Sequence, residues 1–258
     1  MQSFESEEDK ILLARVLDQK RICSSKNKIT NTVFLNSKEQ MLVKKSVKLE
    51  NSFEFGGIEN AERKIIVFFP EKLTEEIAKK NVGSIVSCIR IDLPNENFGK
   101  FEHKMYLSAL MKIGLERERI GDILVEEQGA DIIILKNNID YTIQSLRELT
   151  RFKKANIYEI SLEEIREKKE NFEEIQIVIS SMRIDSLVSE IAGCSRSKAL
   201  EYVEDERVFI NYEVVSKTSK MVNIGDIITI RGKGKFIVFE NLRSTRSGNI
   251  VLLIKKYA

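Results

Sequence analysis

The C-terminal third of the chain contains the pattern that most restricts the possible folds. After Ser181, apolar residues recur at helical spacing, and Gly193 stands where that helix would end. Ser195 then has the position of an N-cap for a second helix, with Leu200 and Val203 as its apolar stripe. The stripe of the first helix consists of Ile184, Leu187, Val188 and Ile191. The spacing predicts two short helices that pack as an antiparallel or crossed pair.

Short apolar runs separated by turn residues follow these two helices, which predicts a small β-sheet. The predicted strands are residues 207–211, 214–215, 227–230 and 236–239. The predicted turns lie at Tyr212-Glu213, at Gly225-Asp226 and in the basic glycine sequence 231–235.

Basic residues are concentrated in the same part of the chain. Residues 181–258 contain 13 Lys and Arg against 9 Asp and Glu, whereas residues 1–180 contain 29 against 31. Arg196 and Lys198 stand at a helix start, where the helix dipole disfavours cations unless a phosphate lies over it. The alternative is that both side chains point into water.

Five short motifs follow one another in this segment, and together they resemble the S-four RNA-binding domain. They are Arg183-Ile-Asp-x-Leu, Ser195-Arg-Ser-Lys-Ala, Arg207-Val-Phe-Ile-Asn, Lys217-x-Ser and Gly225-Asp-Ile-Ile. The resemblance implies two helices on a small sheet that bind structured RNA through the helices and adjacent loops. The chain departs from the family at Asp205-Glu206, which adds negative charge beside the binding face, and at Tyr212, which replaces the glycine of an Asn-Gly hairpin.

The candidate RNA-binding residues are the basic residues and the small polar residues of these motifs and loops. The expected phosphate contacts are Arg183, Arg196, Lys198, Arg207, Lys217, Lys220, Arg231 and Lys233. The expected hydrogen-bond donors that fix register are Ser195, Ser197, Asn211 and Ser219.

The rest of the chain predicts an α+β multidomain protein with three parts. Residues 1–60 are expected to form a helical unit, with helix starts at Ser6 and Ser37. Residues 61–178 are expected to form a mixed α/β domain, and residues 181–258 the S-four domain. The charged run 161–174 is either a linker or an exposed helix. The middle strands are expected at 65–69, 84–93, 122–125, 130–135, 157–160 and 175–179, and the middle helices at 101–113 and 139–149.

Three further motifs ahead of the S-four segment resemble the YlmH-type proteins of Gram-positive bacteria and cyanobacteria. They are Asn60-Ala-Glu-Arg63, the sequence 103–114 from His103 to Gly114, and Glu118-Arg-Ile-Gly-Asp-Ile-Leu-Val125. The resemblance implies a helical N-terminal part and an RRM-like middle domain. It also implies association with the large ribosomal subunit carrying peptidyl-tRNA, in ribosome-associated quality control.

The middle domain has two open readings. Base stacking on its sheet would need exposed aromatic residues on adjacent strands, but Phe68 and Phe69 are neighbours in one apolar run, so docking to the ribosome or a partner is the alternative. His103, Arg117 and Arg119 are secondary candidates for RNA or partner contact. The polar sequence 117–122 either holds a phosphate or RNA edge, or is a charged turn between a helix and a hairpin.

No catalytic motif is apparent, so we expect a protein that is not an enzyme and has no cofactor, metal or small-molecule substrate. There is no GxGxxG after a strand, no Gly-Arg-Leu-Asp loop, and His103 is the single histidine. The three cysteines are far apart, which excludes a CxxC zinc pair. The alternatives are an RNA-modifying enzyme with an unrecognised site in the middle domain and a protein-interaction module.

Apolar runs reach only strand length, far short of the ~20 residues of a membrane span. The acidic N-terminus lacks the pattern of a secretory signal. A cytoplasmic location is therefore expected, with structured RNA (ribosomal RNA and possibly tRNA) and the large ribosomal subunit as partners.

Overall fold

The structure is a computed structural model that describes residues 6–94, 101–166 and 172–257. The chain forms two compact units, residues 1–168 and 169–258. Each unit has its own hydrophobic core and is described separately.

The first unit begins with helices α1 (Glu7–Lys26) and α2 (Ser37–Ser46). The Asp9 N–H donates to Ser6 Oγ at 3.2 Å, as the predicted cap requires. The second helix is capped by Asn36 rather than Ser37, because Asn36 and Glu39 form a reciprocal capping box.

A small sheet accompanies these helices, so the N-terminal part is less helical than expected. Its strands are β1 (Thr30–Asn31), β2 (Ser52–Phe55) and β3 (Ile65–Phe68), in the antiparallel order β1-β3-β2. The predicted strand at 65–69 therefore exists, but it pairs with strands that precede it in the chain rather than with the middle sheet.

The remainder of the first unit has the βαββαβ element order of ferredoxin-like domains, which fits the RRM-like expectation. After the short helix α3 (Glu75–Lys80) come β4 (Val86–Asp92), α4 (His103–Lys112), β5 (Ile120–Glu126), β6 (Gly129–Leu135), α5 (Ile139–Glu148) and β7 (Asn156–Ile160). The four strands form a sheet of order β5-β6-β4-β7, and all pairs are antiparallel.

Both faces of this four-stranded sheet are covered. Helices α4 and α5 pack on one face around Ile89, Ile132 and Leu110. On the other face, Phe34 and Val67 of the N-terminal part join a core cluster with strand residues of the sheet. Every residue of the central strand β6 is buried. This packing removes the sheet faces as platforms for stacking bases, which was one of the two readings of the middle domain.

The second unit begins with strand β8 (Phe172–Ile179), which the sequence had placed in the middle domain at 175–179. That placement is wrong, because β8 pairs along its whole length with the last strand, β13 (Ile250–Tyr257). Of the charged run 161–174, residues 161–166 contain a short turn at Leu162–Glu164, and residues 172–174 belong to β8. Residues 167–171 lie outside the described part.

The other elements in the described part of the second unit are two helices and four strands. They are α6 (Ile184–Ala192), α7 (Arg196–Glu204), β9 (Val208–Ile210), β10 (Glu213–Val214), β11 (Ile227–Ile230) and β12 (Gly234–Ser244). The sheet has the antiparallel order β10-β9-β11-β12-β13-β8, and the helices share a core with one of its faces. The α+β fold class and the pair of helices on a C-terminal sheet are therefore confirmed.

The hairpin between β9 and β10 turns one residue earlier than predicted. Its two loop residues are Asn211 and Tyr212, with φ of 49° and 69°. Two positive φ values are the signature of a type I′ turn, so tyrosine occupies a position that usually favours glycine.

Candidate nucleic-acid interface

The start of helix α6 is built around one carboxylate. Asp185 accepts two hydrogen bonds from Arg183, from Nε at 3.0 Å and from Nη2 at 2.9 Å. It also accepts from the Ser186 N–H at 2.9 Å, which satisfies a free donor of the first helical turn. Arg183 is therefore held in one orientation while its side chain stays 43% exposed.

The loop 217–221 is bonded to this helix start through its backbone. The Ile184 N–H donates to the Lys220 carbonyl at 2.9 Å, and the Asp185 N–H donates to the Thr218 carbonyl at 3.3 Å. Because the loop uses carbonyls for this attachment, the side chains of Lys217, Ser219 and Lys220 stay exposed. The fold thus places the predicted basic residues of the loop 217–221 beside the predicted basic residue at the start of α6.

Arg196 connects the start of helix α7 to the start of α6. Its Nη2 donates to Ser180 Oγ at 2.7 Å and lies 3.5 Å from Ser186 Oγ. Ser195 caps α7 as predicted, because the Lys198 N–H donates to its Oγ at 3.3 Å. The two helix starts therefore lie side by side.

The electrostatics of this corner follow from the same contacts. The Arg183 guanidinium, with a smaller contribution from Arg196, holds the pKa of Asp185 below its usual range. The carboxylate is ionised at neutral pH and faces two guanidinium groups, which leaves a net positive charge at the junction of the helices.

Two further basic side chains lie against the ring of Tyr202 on α7. Lys198 Nζ lies 5.9 Å from the ring centroid, and the Arg207 guanidinium carbon lies 4.6 Å from it. Lys198 is also paired with Glu201, which raises the pKa of Lys198. Arg207 Nη2 donates to the Arg231 carbonyl at 2.9 Å, so the same group reaches the hairpin between β11 and β12.

The remaining predicted residues occupy different positions. The Asn211 Nδ2 donates to Asp226 at 2.8 Å and its Oδ1 accepts from the Ile227 N–H at 2.9 Å, so this side chain fixes the hairpin. Ser197 and Lys233 are exposed, the latter on the glycine hairpin. The guanidinium carbon of Arg231 lies 4.9 Å from the Phe209 ring centroid.

Two family models match separate parts of the chain. Residues 80–169 match the family described as "Putative RNA-binding domain in YlmH", and residues 182–228 match the "S4 domain". The chain is 29% identical over 235 residues to the "Ribosome-associated protein quality control protein P2" of Bacillus subtilis (strain 168), which covers 88% of this chain and 87% of that protein. The chain is similar to the YlmH-type S-four proteins over most of its length.

A solved structure, titled "Cell division protein ylmH from Streptococcus pneumoniae", is 22% identical with a TM-score of 0.49, and the match covers 64% of this chain and 99% of that chain. The S-four match begins at Met182 and ends at Ile228, so it contains both helix starts and the loop 217–221.

The secondary candidates lie in the first unit, where both arginines form hydrogen bonds within the protein. Arg117 Nη1 donates to the Ile120 carbonyl at 2.8 Å, and burial together with the nearby charge of Arg63 lowers the pKa of Arg117 to about 10. Arg119 Nε donates to Glu116 at 2.9 Å. His103 is the exposed first residue of α4.

Asp122, the last residue of the polar sequence 117–122, also bonds to the N-terminal part of the first unit. Its carboxylate accepts from the Glu62 N–H at 2.7 Å and from the Arg63 N–H at 3.1 Å, and burial raises its pKa. The sequence 117–122 thus fastens the hairpin of β5 and β6 to the N-terminal part, which favours the charged-turn reading.

Three residues of the interface were not among the sequence candidates. The hydroxyl oxygens of Ser180 and Ser186 accept hydrogen bonds from Arg196, and the ring of Tyr202 lies between Lys198 and Arg207. The Lys198–Tyr202 spacing of four residues was a readable helical signal. The serine contacts depend on the packing of α6 against α7 and had no local signal.

Within the described ranges, no group of His, Cys, Asp and Glu side chains is arranged to hold a metal ion. The described helices also include none with the length and hydropathy of a membrane span.

Proposed function

We propose that this YlmH-type protein binds structured RNA, without catalysis, through the helix-start face. This name denotes the surface formed by Arg183, Arg196, Lys198, Lys217 and Lys220 with the caps of α6 and α7. The observation that carries the proposal is that two oriented guanidinium groups lie at the neighbouring starts of α6 and α7. Arg183 is bonded to Asp185, Arg196 is bonded to Ser180, and the lysine loop is bonded to the start of α6.

Preorganisation supports a phosphate-binding role for these groups. An arginine that is already held by protein acceptors loses less side-chain entropy when a phosphate arrives. Arg183 and Arg196 are each held by side-chain oxygens, whereas the exposed lysines of the loop can follow an irregular RNA backbone. The two arginines would fix the position of the RNA on the protein, and the lysines would add positive charge that attracts its phosphates.

The other predicted residues keep distinct roles in the proposal. Arg207 and Lys233 would contact phosphates along the flank of α7 and on the hairpin, and Ser195, Ser197 and Ser219 would donate hydrogen bonds. Asn211 would act by holding the hairpin, because its amide group bonds to Asp226 and Ile227. Arg231 belongs more closely to the opposite side of the sheet, where it lies against Phe209.

The RNA is proposed to be ribosomal RNA of the large subunit, with peptidyl-tRNA, and the process ribosome-associated quality control in the cytoplasm. Support comes from the relative named as a ribosome-associated quality control protein, which aligns with 88% of this chain. The two RNA-binding family matches are consistent with it.

Sedimentation with separated ribosomal subunits tests this proposal. The wild type should travel with the large subunit, and an Arg196→Ala/Lys198→Ala variant should stay near the top of the gradient. A matched control is Lys10→Ala/Arg21→Ala, which also removes two positive charges. These two exposed residues of α1 pair with acids of their own helix, as Lys198 does. Circular dichroism spectra and melting temperatures would establish that all variants fold.

The proposal predicts that the control variant sediments with the large subunit like the wild type. Equal loss of sedimentation in both variants would mean that net charge, rather than the helix-start face, drives association. Wild-type protein that stays at the top would contradict the ribosomal proposal and favour a protein-interaction module or an RNA-modifying activity on free RNA.

A further inference from the structure

We propose that the C-terminal sheet has a second RNA surface, which binds single-stranded RNA on the side away from α6 and α7. Residues such as Ile210, Ile228, Val238 and Ile254 belong to the core under the helices. Successive side chains of a strand point to opposite faces, so the residues between them lie on the other side. This side is called the outer face, and it carries Phe172, Phe209, Lys235, Phe239, Lys255 and Tyr257.

A row of aromatic residues crosses the strands of the outer face. Phe209 lies opposite Thr229, and Thr229 lies opposite Lys235. Lys235 Nζ lies 4.5 Å from the Tyr257 ring centroid. Tyr257 pairs with Phe172, and the two ring centroids are 5.1 Å apart. Three rings and a lysine thus follow one line from β9 to β8.

Cations lie directly against these rings. Lys255 Nζ lies 3.4 Å from the Phe239 ring centroid and 5.7 Å from that of Phe172. On the β9 side, the Arg231 guanidinium carbon lies 4.9 Å from the Phe209 ring centroid. Each part of the outer face therefore offers a ring for a base and a cation for the neighbouring phosphate.

The outer face also exposes apolar area. Phe239 is 44% exposed, and Val178 and Val214 on the flanking strands are 47% and 45% exposed. This differs from the four-stranded sheet of the first unit, where both faces are covered. Phe239 is exposed and Phe172, Phe209 and Tyr257 are half-buried, so rings accessible for base stacking occur on the C-terminal sheet rather than on the covered sheet of the first unit.

The charge of the outer face favours a nucleic acid over a protein partner. Protein interfaces are depleted in lysine, whereas surfaces for single-stranded nucleic acid combine aromatic rings with cations along the backbone path. The carboxylate of Glu174 lies 3.8 Å from Lys255 Nζ, so it offsets one cation, while Lys235 and Arg231 add positive charge at the other rings.

Binding of a labelled single-stranded oligouridine to the full chain tests the inference. A length of about twelve nucleotides lies within the roughly 4–16 nucleotides that such surfaces cover. Phe239→Ala and Phe209→Ala should each weaken binding about 5- to 150-fold in fluorescence anisotropy, which corresponds to the loss of one base stacked on an aromatic ring. Phe239→Tyr should retain binding, and Phe239→Leu should not, because leucine keeps apolar area but has no π face.

A structured RNA probe measured with the same variants separates this inference from the function proposed above. Phe239→Ala should leave its affinity unchanged, because Phe239 lies outside the helix-start face. If oligouridine fails to bind the wild type, or if Phe239→Leu binds it as tightly as the wild type, the inference is wrong. Loss of oligouridine binding in Arg196→Ala/Lys198→Ala, with no effect of Phe239→Ala, would place the probe on the helix-start face and also overturn it.

Discussion

The carboxylate of Asp185 holds the helix-start face together, and its removal should destabilise the C-terminal unit measurably. Asp185→Ala deletes the acceptor of two Arg183 hydrogen bonds and of the Ser186 N–H. Asp185 is 8% exposed, so water replaces these partners incompletely. The neighbouring loop 217–221 is bonded to the same helix start and should loosen with it.

The magnitude follows from the exposure of each partner. Arg183 is 43% exposed and can be rehydrated, so its ion pair with Asp185 adds little to the free energy of unfolding. Loss of a side-chain acceptor for a first-turn N–H costs about 1 kcal/mol. The free energy of unfolding of this unit should therefore fall by about 1 kcal/mol at neutral pH.

The loss of stability caused by Asp185→Ala should also depend on pH. The folded-state pKa of Asp185 is lowered, mainly by the Arg183 hydrogen bonds, relative to an unfolded value of about 3.9. The carboxylate therefore stabilises the fold above about pH 4, and this contribution is lost as the pH falls through the folded pKa. The difference in stability between wild type and Asp185→Ala should begin to shrink below about pH 5 and should shrink further as the pH falls through the lowered folded-state pKa.

Hydrogen-exchange mass spectrometry on peptides of α6 measures this local free energy, alongside urea titrations followed by circular dichroism. Glu190→Ala is the matched control, because it removes an exposed acid from the other end of the same helix. An Asp185→Ala variant that is as stable as the control, or whose deficit is the same at pH 7 and pH 3, would refute the reasoning.

Other predictions concern stability and RNA affinity. Arg90→Met should lower the free energy of unfolding by about 3–5 kcal/mol in urea, because Asp131 is fully buried and bonded to Arg90 at 2.7 and 2.8 Å, whereas Arg90→Met/Asp131→Leu should recover most of it. Gly193→Ala should cost about 1 kcal/mol in the same assay, since φ is 60° at this helix end and an added Cβ meets no neighbour within 4 Å. Lys217→Ala/Lys220→Ala should weaken binding of structured RNA at an unchanged urea midpoint, because the loop is attached through its carbonyls; a shifted midpoint would contradict this.

Local signals in the sequence predicted local structure well. The caps at Ser6 and Ser195 and the helix end at Gly193 are where the sequence placed them, because each depends on residues within one turn. The cap of α2 was misplaced by one residue because Asn36 and Ser37 are both good N-caps, and the choice depends on which one can reach Glu39 in a capping box.

Strand partners were harder to predict than strands. The apolar pattern of β8 indicated a strand but not its sheet, because its partner β13 lies more than seventy residues further along the chain. The strand β13 itself was not predicted, so the rings of Phe172 and Tyr257 could not be brought together from the sequence. The outer face is therefore a product of tertiary pairing.

The helix-start face was predicted in part. Its cations were found from motif and position, but the acceptors that orient Arg196 come from two segments that meet only in the fold. For Arg117, the sequence suggested an RNA or partner contact where the structure shows an internal one. A cation in a polar loop looks like a ligand-binding residue until its bonds to backbone carbonyls are known.

The dependence of RNA affinity on salt tests the helix-start face most directly. Wild type and Arg196→Ala/Lys198→Ala would be titrated with a structured fragment of large-subunit ribosomal RNA at several salt concentrations. Each lost phosphate contact should flatten the slope of log affinity against log salt by roughly one unit, so the double variant should be flatter by about two. A folded double variant with the wild-type slope and affinity would contradict the account, because these two side chains would then contact no phosphate.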